Sequence, residues 1–158
     1  MNKKEIINLF LDSDVLQQWH WFNYHFSFYH MNLVHPFAES IVNALSNIDN
    51  KITDFSKITI KKISSLRGKE KYVPHYEQLM QICSEIYVIN QAVKYFKDDD
   101  FKFIYEPTCG NSKKNPELII EAKDFSFGIE VKQPSLINHR KERVTNPIQI
   151  ATRVLQPT

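Results

Sequence analysis

The stretch PELIIEAKDFSFGIEVKQPS, residues 116–135, carries charges where apolar strands would not choose them. Glu117 opens one short apolar run, and Glu130 and Lys132 sit inside the next. Carboxylates converging from neighbouring strands make a hard-oxygen site suited to Mg²⁺, which keeps waters and takes substrate phosphate oxygens. A lysine two residues from one of those carboxylates can hold the attacking water, offset charge growing on a phosphoryl group, or act as a base. That set suits phosphodiester hydrolysis. Hydride and acyl transfer are set aside, because the chain has neither a glycine-rich loop nor a nucleophile elbow.

Whether these side chains meet depends on strand register. Residues 101–107, 117–122 and 127–133 read as strands, the last two joined by a turn around KDFS. A four-residue loop from Lys123 to Ser126 pairs Ala122 with Phe127, Glu117 with Lys132 and Ile119 with Glu130. Side chains alternate with period two, so Glu117, Glu121, Glu130 and Lys132 then share one face. Leu118, Ile120, Ile129 and Val131 take the other, as core. A three-residue loop would break this parity. The plainer reading of the triplet Glu130-Val131-Lys132 is an edge strand whose charges deter aggregation.

The element that must support this sheet is a helix over residues 74–96. Pro74 suits its first turn. Tyr76, Leu79, Cys83, Ile86, Val93 and Phe96 form a stripe for burial, and Glu77, Gln81 and Glu85 line up at i, i+4 beside it. The acidic run at 98–100 opposes the helix dipole and ends the helix. Before it, residues 64–74 with Gly68 and Pro74 read as a linker.

Residues 1–63 contain no glycine and read as helical, with Ile41, Ala44, Leu45 and Ile48 on one face. The aromatic stretch WHWFNYHFSFYHMNLVHP predicts a helix buried on most sides and ended or kinked by Pro36. Its rings, including Trp19, Trp21, Phe22, Phe26 and Phe28, can stack on bases but more simply make core. His20, His25, His30 and His35 recur every five residues, which turns a helix by about 140° and gives neighbours in the series no shared face. They are packing and surface residues.

With 158 residues, 42% apolar and 13% aromatic, the chain is globular, and a formal charge of +2 leaves any nucleic-acid field local. Cys83 and Cys109 form no CxxC pair, and the N-terminal apolar run is too short for a signal peptide or spanning helix. A soluble, cytoplasmic protein with no membrane partner is expected. From Lys132 onward five basic side chains stand against the single Glu142. A basic loop directly after the candidate site can follow a nucleic-acid backbone, or be an ordinary solvated loop.

The pattern Pro116-Glu117, then Glu130-Val131-Lys132, after a helix bearing Glu85, resembles the PD-(D/E)xK nuclease superfamily. Glu stands where Asp is commoner. The resemblance implies an α+β fold: a helical accessory region over residues 1–68, then a restriction-endonuclease-like core over 69–158 of helix, three-stranded antiparallel sheet and partial second helix. It implies Mg²⁺, with Mn²⁺ as a substitute, held by Glu117, Glu130 and the Val131 carbonyl, with Lys132 serving the water and Glu85 joining the catalytic set. Gln149 matches a helix glutamine of some members, and Arg140, Lys141 and Arg143 would contact nucleic acid, DNA ahead of RNA. The family's last core strand has no counterpart, which predicts an incomplete or degenerate core, a homodimer or a completing partner chain. Two other readings stay open: a nucleic-acid-binding module without catalysis, and a helical protein-interaction subunit.

Overall fold

A computed structural model describes residues 1–66, 73–98, 100–107, 115–135 and Val144. These comprise five helices, α1 Lys3–Leu11, α2 Asn23–Ser27, α3 Pro36–Asp49, α4 Phe55–Ser65 and α5 Val73–Tyr95, and three strands, β1 Lys102–Tyr105, β2 Leu118–Glu121 and β3 Ser126–Ile129. The architecture is α+β. No helix among the described residues is long and apolar enough to cross a membrane.

Local chemistry explains the helix starts. At α1, Asn2 Oδ1 accepts from the Glu5 amide at 3.0 Å while Glu5 Oε2 accepts from the Asn2 amide at 2.8 Å, a reciprocal capping box. His35 Nδ1 accepts from the Phe37 amide at 3.2 Å, capping α3. Pro36 therefore begins a helix rather than ending one, because its fixed φ and missing N–H suit a first helical position.

The aromatic stretch before it does not form the continuous helix its composition predicts. It breaks into the short α2 and a 3₁₀ turn at Phe28–Met31, closed by Asn32 in the left-handed region at φ 54°. The packing of the rings explains the break. Phe26 stacks 4.0 Å from Phe10 of α1, and Phe22 meets Phe37 of α3 at 5.0 Å, so the rings reach towards two different helices. Of the rings expected in the core, Phe22 and Phe26 are buried and Trp19, Trp21 and Phe28 only partly covered, while Tyr24, Met31, Leu33 and Val34 are exposed.

One buried core runs from Ile6 and Phe10 through Leu45, Ile48 and Ile63 to Leu79, Ile86 and Ile89 of α5, and on to Leu118 and Ile120 of β2. Each such side chain contributes about 1.5–3 kcal/mol by leaving water. The α5 stripe falls as its spacing predicts, with Tyr76, Cys83 and Phe96 only partly covered.

The sheet is antiparallel throughout, in the order β1-β2-β3. Its register differs from the expected one: Glu121 pairs with Ser126 and Leu118 with Ile129, and the Ala122 amide donates to the Phe125 carbonyl at 2.8 Å. The loop is again four residues, moved one position towards the N-terminus. Both strands slide together, so parity survives. Leu118, Ile120 and Val131 are buried with Ile129 half-buried, and Ile119 faces Gly128 instead of Glu130.

Candidate active site

The sequence around Glu117 turns its carboxylate towards the helices. Pro116 lies against Gly128, where a Cβ would come 3.1 Å from both the Cβ and Cγ of the proline. A side chain at 128 would crowd that ring, and the chain bends at Glu117 before entering β2. The Glu117 carbonyl accepts from the Glu106 amide at 2.9 Å, with Glu106 at φ 44°, which ties the bend to the end of β1. Its carboxylate accepts from the Val131 amide at 2.8 Å. Strand alternation therefore stops short of Glu117, and its side chain lines a cavity.

That cavity measures about 980 Å³ and lies between α4, α5 and the ends of β1 and β2. Its charged lining comprises Lys62 of α4, Glu77 and Glu85 of α5, Glu106 after β1, and Glu117. Glu85 is half-buried, and burial pushes its proton affinity above the usual carboxylate value of 4.5. A hydrogen bond from Gln81 and the charge of Lys62 oppose that rise, while Glu117 and Glu106 add to it. A group shifted by burial and by named charges inside a concavity marks a candidate functional site.

Gln81 holds this wall together. Its Nε2 donates to the Val131 carbonyl at 2.8 Å and to Glu85 Oε1 at 3.1 Å, and its Oε1 accepts from the Gln133 amide at 3.1 Å. The side-chain amide thus pairs with the backbone beyond β3 as a strand would. Ser84 Oγ donates to Gln133 Oε1 at 3.0 Å, and Ser135 Oγ bonds Glu77.

Of the site residues expected from the sequence, Glu85 and Glu117 line one cavity, while Val131 stands behind its described lining, its amide bonded to Glu117 and its carbonyl to Gln81. Glu130 and Lys132 pair with each other at 3.1 Å, largely exposed and outside the described lining. Glu121 pairs at 3.4 Å with Lys102 on the exposed side of the sheet. Arg140, Lys141, Arg143 and Gln149 lie outside the described residues. Sequence reasoning missed Lys62, Gln81 and Glu106 as site residues. Gln81 had a signal, its i, i+4 alignment with Glu77 and Glu85. Lys62 and Glu106 had none, since their proximity is purely tertiary.

The described residues contain no group of three or more His, Cys, Asp or Glu side chains arranged to hold a metal. The donor set still fits Mg²⁺ or Mn²⁺ in their water-rich form, which needs only one or two carboxylates. Glu117 supplies one, with Glu85 in its field. The Val131 carbonyl is engaged by Gln81. No family model, curated protein or solved structure matches the chain.

Proposed function

We propose that the chain is a metal-dependent nuclease hydrolysing phosphodiester bonds of nucleic acid, with DNA ahead of RNA. The observation that carries this reading is Glu117, at the head of the middle strand, sharing a cavity with Glu85 of the preceding helix. The order of helix α5 followed by the antiparallel meander is the order the PD-(D/E)xK resemblance calls for.

Mg²⁺ bound at Glu117 would acidify a water and offset charge on the phosphoryl oxygens. The chain's own residues account for the rest. Glu117 is held in place by the Val131 amide, so its carboxylate is oriented before substrate arrives. Glu85, with its raised proton affinity, accepts the proton of the attacking water more readily than an ordinary carboxylate. The water oxygen bonds to phosphorus as the phosphorus–oxygen ester bond breaks, and the departing oxygen takes a proton from solvent. Gln81 keeps Glu85 aligned.

Plasmid DNA, single-stranded DNA and RNA incubated with Mg²⁺, Mn²⁺ or EDTA test this. Metal-dependent cleavage that falls at least about 100-fold in Glu117→Ala supports it. A wild-type chain inert with every substrate and both metals overturns it. A second reading, a nucleic-acid-binding module without catalysis, draws on the Glu130–Lys132 pair standing outside the described cavity lining. Under that reading, salt-sensitive binding survives Lys132→Ala and no cleavage occurs.

A further inference from the structure

A phosphate-bearing ligand entering this cavity meets Glu77, Glu85, Glu106 and Glu117, and like charge repels it. Among the described lining residues one side chain is cationic, Lys62. It comes from α4, in the helical region that the sequence reading placed apart from the nuclease core. Its Nζ lies 3.2 Å from the Tyr105 hydroxyl, forms an ion pair with Glu106, and stands 5.4 Å from the centroid of the Tyr105 ring. The ammonium is thus positioned on the wall and partly open to solvent. Its present partner is half exposed, and exposed pairs are weak enough for a phosphate to displace.

We propose that Lys62, reaching in from α4, is the phosphate-contacting cation of the cavity. The inference rests on the nuclease reading for its ligand class, a nucleic-acid phosphodiester. Lys132 sits with Glu130 outside the described lining, whereas Lys62 shares the cavity with Glu85 and Glu117. The helical region then contributes a binding residue to the core.

The test is fluorescence anisotropy with a fluorescein-labelled single-stranded DNA oligonucleotide in EDTA, alongside cleavage in Mg²⁺. The proteins are wild type, Lys62→Met, Lys62→Arg, Lys132→Met and Glu106→Gln, each shown to be folded by its urea midpoint. Lys62→Met is expected to weaken binding about tenfold, as loss of a charged hydrogen bond would. Lys62→Arg keeps most of the affinity, Lys132→Met changes it by less than about twofold, and Glu106→Gln preserves or tightens it. Wild-type affinity in Lys62→Met overturns the proposal even if cleavage confirms the nuclease. So does an equal loss in Glu106→Gln, because Lys62 would then serve only to clamp α4 to β1. Absence of binding by the wild type overturns it too. Binding without cleavage sinks the nuclease reading alone, and the Lys62 variants still decide this one.

Discussion

His20 in the helical region and Glu85 above the sheet are both ionisable groups drawn out of water, and they are treated in opposite ways. His20 is fully buried, yet both ring nitrogens are used: Nε2 donates to the Ile63 carbonyl at 3.0 Å and Nδ1 accepts from the Phe22 amide at 3.0 Å. That requires the neutral ring with its proton on Nε2. Burial holds its pKa below 6.5, and the hydrogen bond to Ile63 and the charge of Asp14 offset this only in part. Glu85 has its proton affinity raised chiefly by burial, is bonded by Gln81 and attracted by Lys62, is repelled by Glu117 and Glu106, and has a cavity beside it. A buried polar group satisfied on both sides holds a fold together. One held at a raised proton affinity beside open space is a candidate for contact with a ligand.

Four changes break or sharpen this contrast, taken from the largest effect down. Phe10→Ala strikes the helical core where its ring meets Phe26, and is expected to cost about 3–5 kcal/mol in urea denaturation. A loss under about 1 kcal/mol would mean that the aromatic packing is loose. His20→Ala strands the Ile63 carbonyl and the Phe22 amide and should cost about 2–4 kcal/mol at neutral pH.

The same histidine predicts a pH dependence. Its folded pKa is depressed, so its contribution is present above the ordinary value of 6.5 and lost as pH falls through the folded pKa. The His20→Ala variant should therefore show a flatter acid limb than wild type. If the two limbs superimpose, the neutral-ring assignment is wrong.

Glu85→Gln runs the other way. The folded pKa of Glu85 is raised, so its contribution is full below the ordinary value of 4.5 and lost as pH rises through the folded pKa. The amide should match or exceed wild-type stability at pH 7, by no more than about 1 kcal/mol once solvent screening is allowed for. Under the nuclease reading, cleavage should fall even so. Stability lost together with activity would make Glu85 a structural residue. Smallest of all, Lys132→Ala breaks an exposed pair and should change stability by less than about 0.5 kcal/mol.

Much of the scaffold was legible. Local periodicity showed α5, its buried stripe, three strands, and Leu118, Ile120 and Val131 as core, because burial imposes a period near 3.6 on helices and 2 on strands. The third strand, expected over 127–133, ends at Ile129 and leaves Glu130, Val131 and Lys132 beyond it. The hairpin loop was displaced by one residue, since Ala122 and Ser126 are both acceptable at its edge and nothing local separates them. The aromatic stretch misled for a different reason. Composition predicted buried rings, which holds for Phe22 and Phe26, while Trp19, Trp21 and Phe28 are only partly covered and Tyr24 is exposed. The packing of Phe22 and Phe26 against different helices accompanies a backbone broken into short pieces.

The candidate site divides along the same line. Order along the chain, with Glu85 on a helix and Glu117 at the head of a strand, was determined by the sequence itself through spacing and flanking residues. Which charges face one another was decided in three dimensions. The chain bends at Glu117, beside Pro116 packed on Gly128, and the carboxylate lines the cavity, where the expected register had placed it opposite Lys132. Lys62 reaches Glu106 from 44 residues away, a proximity that no local pattern encodes. Backbone periodicity is a local property, but an electrostatic site is built from whatever side chains packing brings within a few ångströms.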